Sequence, residues 1–158
     1  MFFHENAGNI GLRMDYFDLV YKELHCDIII VAYRGYSNST GVASEHGLTL
    51  DALAVLDYFL VSNSFIAQQY INGGGIFIVG RSLGGAVAAK AVSLLSASKL
   101  DMIDGLILEN TWTSLDDLLF DYLLFLAAFS KLILRNHWDT LSLIPQLDKV
   151  PMMQVWGL

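Results

Sequence analysis

The chain has 158 residues, 54% of them hydrophobic and 16% charged, with 9 Lys and Arg against 16 Asp and Glu for a net charge of −7. One domain's length and this apolar content exclude disorder, and a negative chain with no basic cluster excludes phosphate-backbone binding, so no nucleic-acid partner is expected. The single cysteine, Cys26, excludes an internal disulfide and a cysteine-built zinc site and reads as a small core residue.

In chain order, Met1 to His4 reads as the tail of a strand, and Ile10 to His25 as a helix with Leu12, Tyr16 and Leu19 near helical spacing. Asp27 to Tyr33 (DIIIVAY) is a strand, Leu48 to Ser62 a helix, and Gln69 to Gly75 a turn containing Asn72-Gly73-Gly74-Gly75. Ile76 to Gly80 (IFIVG), Gly105 to Glu109 (GLILE) and Pro151 to Trp156 (PMMQVW) complete the strands, with helices at Leu83 to Ser98 and Ser114 to Leu134 between them. The strand segments lack polar alternation, which predicts parallel strands buried on both faces. Strand and helix in alternation predict an α/β fold, a mostly parallel sheet with helices on both faces.

Met1-Phe2-Phe3 runs straight into His4-Glu5-Asn6, so no signal peptide is expected. The apolar stretch Leu115 to Leu134 is interrupted by Asp116, Asp117, Asp121 and Lys131, and a bilayer span needs about 20 mostly apolar residues. It reads as a buried or lid-like helix, the lid-like segment covering about 114–140, with contact at a membrane surface as the alternative.

Gly80-Arg81-Ser82-Leu83-Gly84 matches Gly-x-Ser-x-Gly, with a strand ending just before it and a small-residue helix starting just after. That context is the nucleophile elbow, in which the serine is held in a strained turn and the residues two before and two after have no room for a Cβ. Ser82 is therefore the expected nucleophile. The Leu83 N–H, at the positive end of the helix, is the expected first oxyanion donor. A second donor must come from the loop after a neighbouring strand. The Asn6 N–H in His4-Glu5-Asn6-Ala7-Gly8-Asn9 is the candidate, and helix capping by these residues is the alternative.

FFHENAGNIG, YRGYSNSTGVASEHGLTLDALAVLDYF, FIVGRSLGGAVAA and LILENTWTSLDDL, in that order, resemble the α/β-hydrolases of the fungal bud-emergence and plant wavy-growth type, from Phe2 to Leu158. The resemblance implies an α/β-hydrolase fold, a serine nucleophile matching Ser82 and an oxyanion loop matching His4 to Asn6. Two departures are visible: Ser37 stands where the family has the last glycine of Arg-Gly-Tyr-Gly, and Trp112 where it has the phenylalanine of Glu-Asn-Thr-Phe. Glu5, a carboxylate beside a site for negative charge, is expected to point away.

In such hydrolases the triad runs Ser, then acid, then His along the chain. The resemblance puts the acid just past Leu158 in a Gly-x-x-Asp turn and the histidine later still, so the chain reads as a fragment of a larger hydrolase, short at both ends. An internal triad is the competing arrangement, because His137 follows Ser82 with Glu109, Asp116, Asp117 and Asp121 between them. Against it, Thr113-x-x-Asp116 and Ser114-x-x-Asp117 read as helix-start capping patterns, Glu109 as a loop-fixing group at a strand end and His137 as part of a surface turn. His25 and His46 read as surface histidines. Arg34 reads as a loop-fixing donor and Gly35 as a turn residue, with a substrate role for Arg34-Gly35-Tyr36 beside the oxyanion loop as the alternative, and Ser44-Glu45 reads as a helix start.

The expected activity is serine hydrolysis of an ester, thioester or amide carbonyl through an acyl-enzyme, with no cofactor and no metal. The expected partner is a small-molecule or lipidated-protein acyl substrate. Relatives of this type often carry a membrane anchor, which here would lie upstream of Met1. A non-catalytic scaffold or binding protein that keeps the fold is the alternative.

Overall fold

The computed structural model describes residues 1–61, 68, 73–122 and 135–156. Its centre is a four-stranded, wholly parallel sheet in the order β1 (Phe2–Phe3), β2 (Phe77–Arg81), β3 (Gly105–Glu109) and β4 (Met152–Val155). Register follows the rows Phe2, Val79, Ile107, Met153 on one face and Phe3, Gly80, Leu108, Gln154 on the other. The fold is the α/β arrangement that the alternation predicts, a parallel sheet with helices around it, with β3 at the boundaries expected from its apolar run.

The second of those faces carries the core. Helix α3 (Leu83–Ser93) lies on it and is buried along almost its whole length, because Gly84, Gly85, Ala86, Ala88, Ala89 and Ala91 let its backbone approach the strands closely. Helix α2 (Glu45–Val61) covers α3 from outside through Leu48, Ala52, Leu56 and Leu60, and a 3-10 segment, Leu141–Leu147, adds Leu143 and Leu147. Removing such side chains from water stabilises by about 1.5–3 kcal/mol each. On the other face, helix α1 (Met14–Leu24), entered through a 3-10 turn at Ile10–Arg13, sets Phe17 edge-on to Phe2 at 5.0 Å between ring centres.

Several expectations are corrected. Asp27 to Tyr33 makes no ladder: Ile30 alone bridges to Phe2, because β1 offers only two residues to pair with. The strands are not all buried on both faces. β4 is exposed throughout, Met153 by 58% and Val155 by 40%, because it forms the sheet edge and α1 covers only the β1–β2 side. Cys26 is exposed rather than in the core, since it follows His25, the left-handed cap that ends α1 (φ 50°) and sends the chain outward. The helix predicted over Leu83 to Ser98 stops at Ser93, and a short helix α4 (Ala97–Leu100) follows from the extended residue Ser96. The 3-10 segment at Leu141–Leu147 was not anticipated. Helix α5 covers Leu115–Tyr122, and residues 123–134 of the lid-like stretch, with the turn residues 69–72, lie outside the described residues. Among those described, no helix is long and apolar enough to cross a membrane.

The loop readings hold. Arg34 forks onto Asp51 of α2, with Nη2 to Oδ1 at 2.7 Å and its backbone N–H to Oδ2 at 2.8 Å, while Gly35 turns at φ 76°. Ser44 accepts the Gly47 N–H at 3.1 Å and so starts α2. Hydrogen bonds from the Arg34 guanidinium hold the Asp51 carboxyl below its ordinary value. A carboxyl depressed in the folded state stabilises above its unfolded value near 4 and loses that contribution as pH falls through the native value. The stability lost in Arg34→Met is therefore expected to be full at neutral pH and to shrink below about pH 4, read from urea midpoints across pH. The bare β4 edge makes a second prediction. Exposed unpaired strand edges template association, so the isolated chain is expected to self-associate and Met153→Lys to reduce it in sedimentation velocity.

Candidate functional site

The site residues gather at the carboxyl ends of β1, β2 and β3. Ser82 stands between β2 and α3 with φ 52° and ψ −118°, a backbone that non-glycine residues rarely adopt and that costs about 1–3 kcal/mol. The surroundings enforce it. The Ser82 N–H donates to the Glu109 carbonyl at 2.8 Å, extending the β2–β3 ladder by one residue, and its carbonyl accepts from the Gly85 N–H at 3.0 Å. A Cβ on Gly80 would lie 2.4 Å from the Gly84 carbonyl oxygen, and a Cβ on Gly84 would lie 1.9 Å from that of Phe3. The glycine requirement inferred from the motif is thus a backbone-to-backbone contact. Among the described residues, none hydrogen-bonds to the Ser82 hydroxyl.

That contact at Gly84 also presses the end of β1 onto the first turn of α3. The loop leaving β1 is therefore next to the Leu83 N–H, which as the first helical residue has no intrahelical acceptor. The loop is held from several sides. The His4 carbonyl accepts from the Tyr33 hydroxyl at 3.3 Å, the Ala7 carbonyl from Arg13 Nη2 at 3.0 Å, and the Asn6 Oδ1 from the Tyr36 hydroxyl at 2.5 Å. Capping of the following turn falls to Asn9, whose Oδ1 accepts the Leu12 N–H, and not to Asn6.

His4 is buried, and burial lowers its pKa, so the ring is neutral at pH 7. Its Nδ1 donates to the Glu5 carbonyl at 2.7 Å, leaving Nε2 as a buried acceptor without a partner among the described residues. Glu5 turns its carboxylate to Arg13 at 2.5 Å, with Arg81 at 4.0 Å, so its charge is compensated. Arg81 also stands 3.7 Å from Glu109, the strand-end acid.

His137 does more than occupy a surface turn. Its Nδ1 stands 2.8 Å from Asp116 Oδ2, and its backbone N–H, with that of Trp138, donates to the Glu45 carboxylate at the start of α2. The Leu115 N–H donates to the His137 carbonyl at 2.8 Å. Ser114 caps α5, its hydroxyl accepting the Asp117 N–H, while the Asp117 carboxylate accepts from the Thr113 and Ser114 hydroxyls, which hold it below the ordinary value. Asp116 is thus released from capping and pairs with His137, a carboxylate–imidazole pair that the cap pattern concealed. Neither of the two hydrogen-bonds to Ser82. His25 and His46 are exposed, as expected. Among the described residues, no group of three or more His, Cys, Asp or Glu side chains could hold a metal ion.

No protein-family model matches the chain and no solved structure does. Curated relatives do. The chain is 34% identical to the alpha/beta hydrolase domain-containing protein WAV2 of Arabidopsis thaliana over 169 aligned residues, covering 100% of this chain and 51% of WAV2. It is 33% identical to protein bem46 of Schizosaccharomyces pombe over 157 residues, 99% of this chain and 49% of bem46. Lysophosphatidylserine lipase ABHD12 of Bos taurus aligns at 32% identity over 117 residues, 73% of this chain and 27% of that protein. Over nearly its whole length, then, the chain belongs with the α/β-hydrolase domain proteins of the WAV2 and bem46 type, and it spans about half the length of these two relatives.

Proposed function

We propose that this chain carries the nucleophile half of a serine hydrolase acting on an acyl ester or thioester. The observation that carries this reading is Ser82, held at φ 52° and ψ −118° between a strand and a helix by glycines that admit no Cβ. In the reaction, Ser82 Oγ attacks the acyl carbonyl carbon while a base takes its proton. The oxyanion that forms is met by the N–H groups of Leu83 and Asn6, and the leaving alcohol or thiol departs with the proton, leaving an acyl-enzyme that water hydrolyses. Such chemistry needs no metal and no cofactor. The likeness to a lysophosphatidylserine lipase favours an ester of a fatty acyl chain over an amide. We place the acid and the histidine of the triad beyond Leu158, within the length of WAV2 and bem46 that this chain does not span.

A second reading is favoured by one distance, the 2.8 Å between His137 Nδ1 and Asp116 Oδ2. A carboxylate on Nδ1 is how a triad acid fixes its histidine, and the chain order Ser82, Asp116, His137 is the hydrolase order. In this reading the pair supplies the base after a rearrangement that brings Nε2 to Ser82. Fluorophosphonate labelling, mapped to Ser82 by mass spectrometry and repeated in Ser82→Ala, tests the common core of both readings. Persistence of full labelling in Ser82→Ala would reject them together.

A further inference from the structure

We propose that Tyr36 is a positioning residue for the oxyanion loop, setting the Asn6 N–H through its hydrogen bond to Asn6 Oδ1. The inference rests on the reading of Ser82 and Asn6 given above. Asn6 is exposed and belongs to no strand or helix, so its amide direction is not determined by regular structure. Among the described residues, the 2.5 Å bond from the Tyr36 hydroxyl is the side-chain hydrogen bond that ties it to the rest of the molecule. Tyr36 is itself well anchored. Its backbone N–H donates to the Tyr33 carbonyl at 3.0 Å, and its carbonyl accepts from the Ser39 N–H at 2.9 Å. Its ring stands edge-on to His4 at 5.3 Å and to Tyr33 at 5.7 Å between centres.

The loop therefore has two tyrosine supports of different kinds. Tyr33 is fully buried and holds the His4 carbonyl, which belongs to the packing of β1 against α3. Tyr36 is half-buried and reaches the residue whose N–H would face the substrate. An oxyanion donor works because it is fixed before charge develops, and a small misplacement of such a group costs far more in rate than in stability. Loss of the Tyr36 hydroxyl leaves the ring packing in place and frees only the Asn6 side chain. The phenol's function is thus separable from its structural contribution.

In the protein extended beyond Leu158, Tyr36→Phe is expected to lower kcat for p-nitrophenyl butyrate about 10-fold with KM unchanged, and to slow fluorophosphonate labelling of Ser82 equally. The unfolding midpoint should move by no more than about 2–4 °C. Asn6→Ala keeps the N–H but removes Oδ1, so it is expected to lose the same factor, and the double variant no more than either alone. Tyr21→Phe, on the exposed side of α1, should change nothing. Independently of activity, backbone amides of residues 6–9 should exchange with deuterium faster in Tyr36→Phe than in the unsubstituted protein. If Ser82 labels normally and Tyr36→Phe labels at the same rate, or if the Tyr36 and Asn6 losses multiply in the double variant, the positioning role is overturned while the serine-hydrolase reading stands. If the protein extended beyond Leu158 neither labels at Ser82 nor hydrolyses the ester, the serine-hydrolase reading fails and the catalytic role of Tyr36 fails with it. The exchange rates would then report only the hydrogen bond.

Discussion

Gly84→Ala is expected to abolish cooperative folding. The added Cβ would sit 1.9 Å from the Phe3 carbonyl oxygen, 2.4 Å from its carbon and 2.8 Å from the His4 carbonyl oxygen, all backbone atoms that cannot rotate away. Relief requires pulling β1 off α3, which breaks the β1–β2 pairing and uncovers Phe3, a fully buried member of the core. Overpacking that flexible side chains can absorb costs about 1–3 kcal/mol, and a clash with backbone on both sides exceeds that. The loss is a large part of the roughly 5–15 kcal/mol that holds a domain together. Circular dichroism melts should show no transition, or one with most of its enthalpy gone. Two comparisons make the test specific. Gly73→Ala, where a new Cβ meets nothing within 4 Å, should leave the melt unchanged. Gly85→Ala collides at 1.7 Å with the Thr111 hydroxyl oxygen but at 2.8 Å with its Cβ, so Thr111→Ala should rescue it in part and should not rescue Gly84→Ala.

The same geometry explains what could be read from residues alone. Gly80-Arg81-Ser82-Leu83-Gly84 is legible because its constraint is local: a tight turn, two missing Cβ atoms and a small-residue helix leave a mark within a dozen positions. Gly105 to Glu109 is legible because a central parallel strand is apolar on both faces: Leu106 and Leu108 are buried on the core face and Ile107 is half-buried on the other. Met152 to Val155 is comparably apolar, yet its side chains stand in solvent at the edge of the described sheet. Composition reports the propensity of a strand and not its neighbours. Asp27 to Tyr33 fails for a related reason, since the ladder it would join is limited by the two residues of β1.

The carboxylate–imidazole pair was hidden differently. Thr113, Ser114, Asp116 and Asp117 offer two overlapping capping patterns, and nothing local tells which acid is used. The choice of Asp117 by both hydroxyls leaves Asp116 for a histidine 21 positions away. Likewise, no spacing rule links Tyr36 to Asn6, 30 positions apart. That contact exists because Ile30 bridges Phe2 in the parallel sense, so the chain leaves both at the same end of the sheet.

The remaining prediction concerns which histidine takes the proton from Ser82. Removing one oxyanion donor typically costs about 10²- to 10³-fold in rate, whereas a serine site without its triad keeps only about 10³- to 10⁴-fold over water. The base is therefore the larger effect and the cleaner one to assign. If it lies beyond Leu158, the 158-residue chain alone should label with fluorophosphonate at a rate near background, even with Leu83 and Asn6 in place. The protein extended beyond Leu158 should then label rapidly, Ser82→Ala should abolish that labelling, and His137→Ala should leave its rate within about twofold, because surface substitutions away from the reacting atoms have small effects. His137→Ala should still lower the unfolding midpoint modestly, since it removes the side-chain bond that ties Asp116 at the start of α5 to the segment clasped by Glu45. The competing arrangement makes the opposite forecast. Rapid labelling of the short chain, lost on His137→Ala and weakened in Asp116→Asn, would require Nε2 of His137 to reach Ser82 and would move the whole triad inside this chain. The two outcomes differ by orders of magnitude in one rate, so a single time course on the short chain and its His137→Ala variant decides between a nucleophile waiting for a distant base and one already served by the Asp116–His137 pair.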